Sequence, residues 1–254
     1  MRIGVFVTAR MGSSRLADKH LRPIGDRAAL SYLLDRIDAE FAPEIAAGTV
    51  LPVLTTGNET RNQPLADLGI GRHTQMFYGD DGNVPRRHLQ AAQALTLDAM
   101  VSVDGDDLFC APEAMRCIHD MLAHGAGLAK TNGLPIGMNS WGYSLAVLDM
   151  ALRNIDLSLL ETGWGRIFDG VPTQEVSFVC PRADEVRATL DYEPDLAFFS
   201  RGILEVPGWE ALPTVEFVQR IIARGIQREN AGLNEQYWEN FSRNITRENA
   251  KDSE

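Results

Sequence analysis

The chain has 254 residues, 44% of them hydrophobic and 23% charged, an ordinary globular balance with enough material for a core that needs no staples. With 24 Lys and Arg against 35 Asp and Glu, its formal charge is -11. That argues against nonspecific binding to nucleic acid or to an anionic membrane, since both require a basic face. No segment approaches the roughly 18 apolar residues of a membrane helix, no signal-peptide pattern is seen, and Cys110, Cys117 and Cys180 form no CxxC pair; a reducing, cytoplasmic setting is expected.

Strand and helix signals alternate along the chain. The β-branched, apolar run Ile3 to Val7 predicts a first strand, and Thr8 to Lys19 a loop rich in Gly, Ser, Arg and Lys. Leu30, Leu33, Leu34, Ile37 and Phe41 recur at helical spacing within Ala28 to Phe41,. Thr49 to Thr56 reads as a second strand, Asn62 to Leu68 as a short helix, Gln75 to Tyr78 as a short strand and Val84 to Leu97 as a helix. Asp98 to Val103 is a strand ending in Asp104-Gly105-Asp106-Asp107, and Pro112 opens a helix to Leu122,. Gly125 to Lys130 and Trp141 to Val147 read as strands, followed by a helix near Leu148 to Ile155. Gln174 to Cys180 and Arg187 to Leu190 read as further strands, and Asp195 to Leu204 and Thr214 to Ala223 as helices. The polar, mostly charged stretch from Tyr237 reads as a frayed or partner-bound tail,. Alternation of this kind implies an α/β fold with a mostly parallel sheet covered on both faces, whose ligands gather at the carboxyl ends of the strands.

Two groups of residues fall at such strand ends. In the first loop, Arg10, Arg15 and Lys19 surround Gly12, Ser13 and Ser14. Backbone N–H groups and cations in this arrangement suit a polyphosphate; a solvated loop with surface arginines is the bland alternative, and the pattern is neither a Walker A motif nor GxGxxG. Met11 reads as a packing residue. The second group is Asp104, Asp106 and Asp107. Hard carboxylates suit Mg²⁺, with Asp106 the choice for direct ligation, although Asp is also a favoured turn residue. Further on, Asp195 reads as a helix cap, and Asp191 stays open between a cap and a second metal ligand. The five histidines show no metal-ligand spacing with the cysteines.

Together these pieces resemble a family. Ala9-Arg10-Met11-Gly12-Ser13-Ser14-Arg15-Leu16-x-x-Lys19-x-Leu21 is similar to the signature loop of sugar-activating cytidylyltransferases, those acting on 3-deoxy-manno-octulosonate and acylneuraminate. The spore coat polysaccharide biosynthesis protein F branch is also resembled at Pro23-Ile24-Gly25, at Leu54-Thr55-Thr56 with Pro64-Leu65, and at Asn83-Val84-x-x-Arg87. The same likeness continues at Gly105-Asp106-Asp107 and at Leu190-Asp191-Tyr192 with Asp195-Leu196. The resemblance implies a glycosyltransferase-A-like, Rossmann-like α/β fold. It implies transfer of CMP from CTP to a sugar, acidic sugar or related small acceptor, with release of pyrophosphate. Carried over, it assigns CTP to Ala9, Arg10, Met11, Gly12, Ser13, Arg15, Lys19, Thr55 and Arg87, catalysis to Arg15, Lys19 and Asp106, and Mg²⁺ to Asp106 and Asp191. It also makes a homodimer an expectation; with the polar stretch from Tyr237 read as a tail, a nucleotidyltransferase domain over 1–236 and a tail over 237–254 are expected.

This chain departs from the family pattern at several places. Leu16-Ala17-Asp18-Lys19 stands where the family has Leu-Pro-Gly-Lys, Asn62-Gln63 replaces an acidic pair, and Asn139-Ser140-Trp141 replaces an Asp-x-Glu. Gln174-Glu175-Val176 falls on the family's Glu-His-Val. These losses cluster in the expected acceptor half. Two other readings follow: a metal-dependent glycosyltransferase, for which Asp104-Gly105-Asp106 supplies a literal DxD, and a non-catalytic nucleotide-binding homologue with a degenerate acceptor site.

Overall fold

The computed structural model describes all residues except Ser14, Asn154, 156–158 and 252–254. Ser14, within the cationic loop, therefore lies outside the described residues, as do 252–254 of the expected tail. In chain order the first elements are β1 (Ile3–Thr8), a hairpin of β2 (Pro23–Ile24) and β3 (Arg27–Ala28), α1 (Ala29–Glu40), α2 (Ala42–Ala46) and β4 (Val50–Thr56). Next come α3 (Glu59–Asn62), β5 (Gln75–Tyr78), α4 (Val84–Ala94), β6 (Ala99–Asp104), α5 (Pro112–Ala123) and β7 (Leu128–Asn132). The chain goes on through β8 (Trp141–Ser144), α6 (Leu145–Arg153), β9 (Gln174–Ser177), α7 (Glu193–Glu205), α8 (Thr214–Ala223) and α9 (Leu233–Lys251).

Seven strands form one sheet in the order β5-β4-β1-β6-β8-β7-β9. The contacts of β1 with β4 and β6, of β4 with β5 and of β7 with β9 are parallel; only β8 runs against its neighbours. Residues Ile3 to Val7 of the interior strand β1 are buried, and its β-branched run suits a strand covered on both faces. Alternate residues feed two cores: Val5 and Val7 join the one that contains α1 and α5, Phe6 the one that contains α4 and α6,. Leu30, Leu33, Leu34 and Ile37 form the buried stripe of α1, and Phe109 packs edge-on against Phe198, Phe217 and Trp209.

Most expected elements are present within a few residues of their expected ends. Three differ. Asn62 to Leu68 continues α3 as a tight 3-10 stretch, Gln63–Gly69, with Pro64 early in it. Arg187 to Leu190 is not a strand of the sheet: it makes a single bridge, Ile136 to Arg187, because its amides bond to loops. Ala188 N–H donates to Ile136 O and Leu190 N–H to Asp106 O, both at 2.9 Å. The polar stretch from Tyr237 is helical and belongs to α9. No helix among the described residues is long and apolar enough to cross a membrane.

Candidate active site

The carboxyl ends of β1 and β6 lie side by side, with Thr8 in register with Asp104. Each strand runs on into its loop, so the cationic and acidic segments start as neighbours. Gly105 allows them to touch. A Cβ there would lie 2.9 Å from both Ala9 Cβ and Thr8 O and 3.1 Å from His20 Nε2, closer than ordinary packing permits. The backbone bond from Leu190 to Asp106 O then draws in the segment that carries Asp191.

Four side chains from three separate segments converge here. Lys19 Nζ donates to Asp106 Oδ2 at 2.5 Å and to Asp191 Oδ1 at 3.1 Å. Arg15 pairs with Asp191 as well. Burial works against the charge on Lys19, yet Asp106 and Asp191 outweigh it and raise the ammonium's pKa. Asp106 is the mirror image: burial opposes ionisation, but Lys19 and then His20 hold its carboxyl below the usual range,. His20 Nε2 meets Asp106 Oδ1 at 2.9 Å and its Nδ1 meets Arg10 O at 3.1 Å, so His20 clamps the two loops together.

Behind this pair lies a second ionic layer. Arg187, Asp191 and Asp195 are at most 2% exposed in their side chains. Arg187 Nη2 donates to Asp191 Oδ2 at 3.0 Å and its Nε to Asp195 Oδ1 at 3.2 Å. Asp195 Oδ2 accepts the N–H groups of Asp191 and Tyr192, each at 3.0 Å. Asp195 is thus the helix-opening residue it was expected to be, and Asp191 is fixed from behind while its other oxygen faces Lys19 and Arg15.

The site opens into a cavity of about 540 Å³ whose wall includes Ala9, Arg10, Ser13, Arg15, Lys19, Arg87 and Asp106. Arg10 pairs with Glu161 across it at 2.5 Å. Arg87 is 2% exposed; its Nη1 donates to Asp80 O at 3.1 Å, and its buried Nε finds no acceptor among the described residues. Four sequence-assigned residues do not line the cavity. Met11 is packed, its N–H donating to Asn62 Oδ1 at 2.7 Å. Gly12, with φ 98, shapes the loop,. Thr55 is fully buried against His88, and Asp191 sits just beneath Lys19.

Sequence reasoning missed His20, Arg187, Glu161 and the contribution of α9. His20 follows Lys19 directly and Arg187 precedes Asp191 by four positions, but nothing in such spacing separates a clamp from a surface residue. The donor set at Asp106 and Asp191 is two hard carboxylates from separate segments meeting on one cation. That fits Mg²⁺, which needs only one or two protein carboxylates besides phosphate and water. Among the described residues no cluster of three or more His, Cys, Asp or Glu side chains forms a protein-only metal cage.

The α/β fold is one shared with solved cytidylyltransferase structures. A cytidylyltransferase from Leptospira borgpetersenii superposes over 91% of this chain and 98% of its own, with a TM-score of 0.78 at 20% identity. CMP:2-keto-3-deoxy-manno-octonic acid synthetase complexed with CTP superposes over 81% and 99%, with a TM-score of 0.58 at 14% identity.

In sequence, the chain is 28% identical over 127 residues to 3-deoxy-manno-octulosonate cytidylyltransferase of Idiomarina loihiensis, covering 49% of this chain and 47% of that protein. It is 27% identical over 109 residues to the spore coat polysaccharide biosynthesis protein SpsF of Bacillus subtilis, covering 43% and 45%. An uncharacterized protein of Methanocaldococcus jannaschii is 24% identical over 156 residues, 61% of each chain. The matches span 45% to 61% of the length of these curated relatives, and no protein-family model matches. The likeness to cytidylyltransferases read from the sequence is borne out by these relatives, and the fold is the one that likeness implied.

Proposed function

We propose that this protein is a Mg²⁺-dependent cytidylyltransferase that transfers CMP from CTP to a small sugar-like acceptor and releases pyrophosphate. The observation that carries the reading is the meeting of Arg15, Lys19, Asp106 and Asp191 at one end of one cavity. The acceptor oxygen attacks the α-phosphorus in line, and the bond from that phosphorus to the pyrophosphate oxygen breaks. Such a reaction asks the protein mainly for positioning and charge neutralisation. Lys19 and Arg15 bind the phosphates and stabilise charge growing on pyrophosphate. Arg10 and Arg87 hold the nucleotide from the sides, Arg87 with an Nε that has no acceptor among the described residues. Ala9, Met11, Gly12 and Ser13 shape the loop around CTP, and Thr55 supports it from beneath through His88. Asp106 and Asp191 would hold Mg²⁺, which supplies neutralisation of phosphate charge when bound. The setting is the cytoplasm, in keeping with three free thiols.

Two measurements test this. Thermal shift with each of the four nucleoside triphosphates and Mg²⁺ is expected to show selective stabilisation by CTP, since a ligand of the native state raises its stability by mass action. Turnover with CTP and a sugar acid is expected to release pyrophosphate. Release of a nucleoside diphosphate from a nucleotide-sugar instead, or a flat response to all four triphosphates, overturns the reading.

A further inference from the structure

A large share of the cavity wall comes from α9, the stretch expected to be a tail. It is anchored at both lips. On one side Glu248 Oε1 accepts Thr162 N–H at 2.9 Å, and a Cβ on Gly163, whose φ is 59, would come within 2.9 Å of Phe241 and 3.0 Å of Ile245. On the other side Asn240 Nδ2 donates to Tyr192 Oη at 2.8 Å, and the Tyr237 ring centroid lies 4.6 Å from the Arg187 guanidinium. Between these anchors α9 turns Arg243, Asn244 and Arg247 toward the cavity.

The charges on this wall differ from those in the loop. Arg10, Arg15 and Lys19 are each matched by a carboxylate of the site. Among the described residues Arg243 bonds only to the uncharged Asn240 amide, at 3.2 Å, and Arg247 has no acceptor. The cavity wall also carries Trp141 and Trp164, their ring centroids 4.4 Å apart. Aromatic faces, an amide and two uncommitted guanidinium groups together suit a polyhydroxylated molecule carrying an anionic substituent. Asn139, where the resembled family has a carboxylate, is turned inward onto Leu134 and Pro135 carbonyls at 2.9 and 3.3 Å and adds nothing to the cavity.

Resting on the function proposed above, we infer that α9 is the acceptor-recognition wall, and that Arg243 and Arg247 select an acceptor bearing a carboxylate or phosphate. The test is calorimetric titration of the full chain with Mg²⁺ and a saturating CTP analogue whose α,β-bridging oxygen is replaced by methylene, so that turnover does not intervene. The probes are 3-deoxy-manno-octulosonate, glucose 1-phosphate and neutral glucose. At least one anionic probe is expected to bind, more tightly than glucose; which one binds distinguishes carboxylate from phosphate. In the double variant Arg243→Gln with Arg247→Gln its Kd rises about tenfold or more, the loss expected for charge-assisted hydrogen bonds, while the Kd of the CTP analogue stays within about twofold of wild type. Glucose binding as tightly as both anions, or a double variant with wild-type affinity for the anion, overturns the inference. Failure of the wild-type protein to bind the CTP analogue in the presence of Mg²⁺ sinks the nucleotide reading instead, and is seen separately in the same experiment.

Discussion

Lys19 holds together two acids that would otherwise face each other, so its removal acts twice. In Lys19→Ala, kcat is expected to fall at least about tenfold, as one charge-assisted contact contributes ~1.5–3 kcal/mol. Unchanged turnover, measured by pyrophosphate release, removes Lys19 from the mechanism. His88 acts through protonation instead. It is fully buried, with Nε2 at 2.8 Å from Thr8 Oγ1 and Nδ1 at 2.5 Å from Tyr143 Oη. Burial, and then Arg87, hold its pKa well below the usual imidazole range. The unfolded chain takes up a proton below pH ~6.5 while the folded one does not, so this group's contribution is intact above that pH and declines below it. The loss approaches about 1.4 kcal/mol per pH unit. Urea unfolding of wild type and His88→Gln between pH 7 and 5 (roughly the span over which an ordinary imidazole titrates) is expected to show a shallower decline in the variant. Parallel curves would mean that His88 stays neutral in both states or protonates in both.

At the scale of elements, the start of α7 is the part most exposed to damage. Asp195 caps the helix, accepts two backbone N–H groups and neutralises Arg187. Asp195→Ala would leave Arg187 buried with one partner fewer, and destabilisation of about 3–5 kcal/mol is expected, read as a lower urea midpoint at unchanged slope. A midpoint equal to wild type would show that Asp191, which accepts from Arg187 Nη2 at 3.0 Å, suffices. The same region shows why some of the sequence was harder to read. Arg187 to Leu190 has strand-like residues and is extended, but its partners are the loops at Ile136 and Asp106, which no local pattern announces. Asp18 is the converse. Its φ of 50 is left-handed, a region that favours Gly and tolerates Asp, so the glycine of the resembled loop and the aspartate here meet one backbone demand.

For the whole molecule, the order of layers was legible because it depends on periodicity. The β-branched run of β1, the stripe of α1 and the proline opening α5 each specify an element without reference to the rest of the chain. The cationic loop and the Asp104 to Asp107 cluster were legible for the same reason: they are dense and local, and a parallel sheet brings strand ends together. What could not be read is long-range: His20 reaching Asp106, Arg187 bracing Asp191 from behind, and α9 folding back over the cavity. A polar helix with few apolar residues reads as solvated until its glutamate and aromatic anchors, Glu248, Tyr237 and Phe241, are seen in place.

The partnership of Lys19 and Arg15 with the two acids gives the site a built-in linkage. On the proposed function, a divalent ion taking Asp106 and Asp191 would release an ammonium and a guanidinium, and those freed cations are what a polyphosphate needs. Each visitor would then prepare the ground for the other, and by thermodynamic reciprocity the ion would tighten the nucleotide by the same factor as the nucleotide tightens the ion.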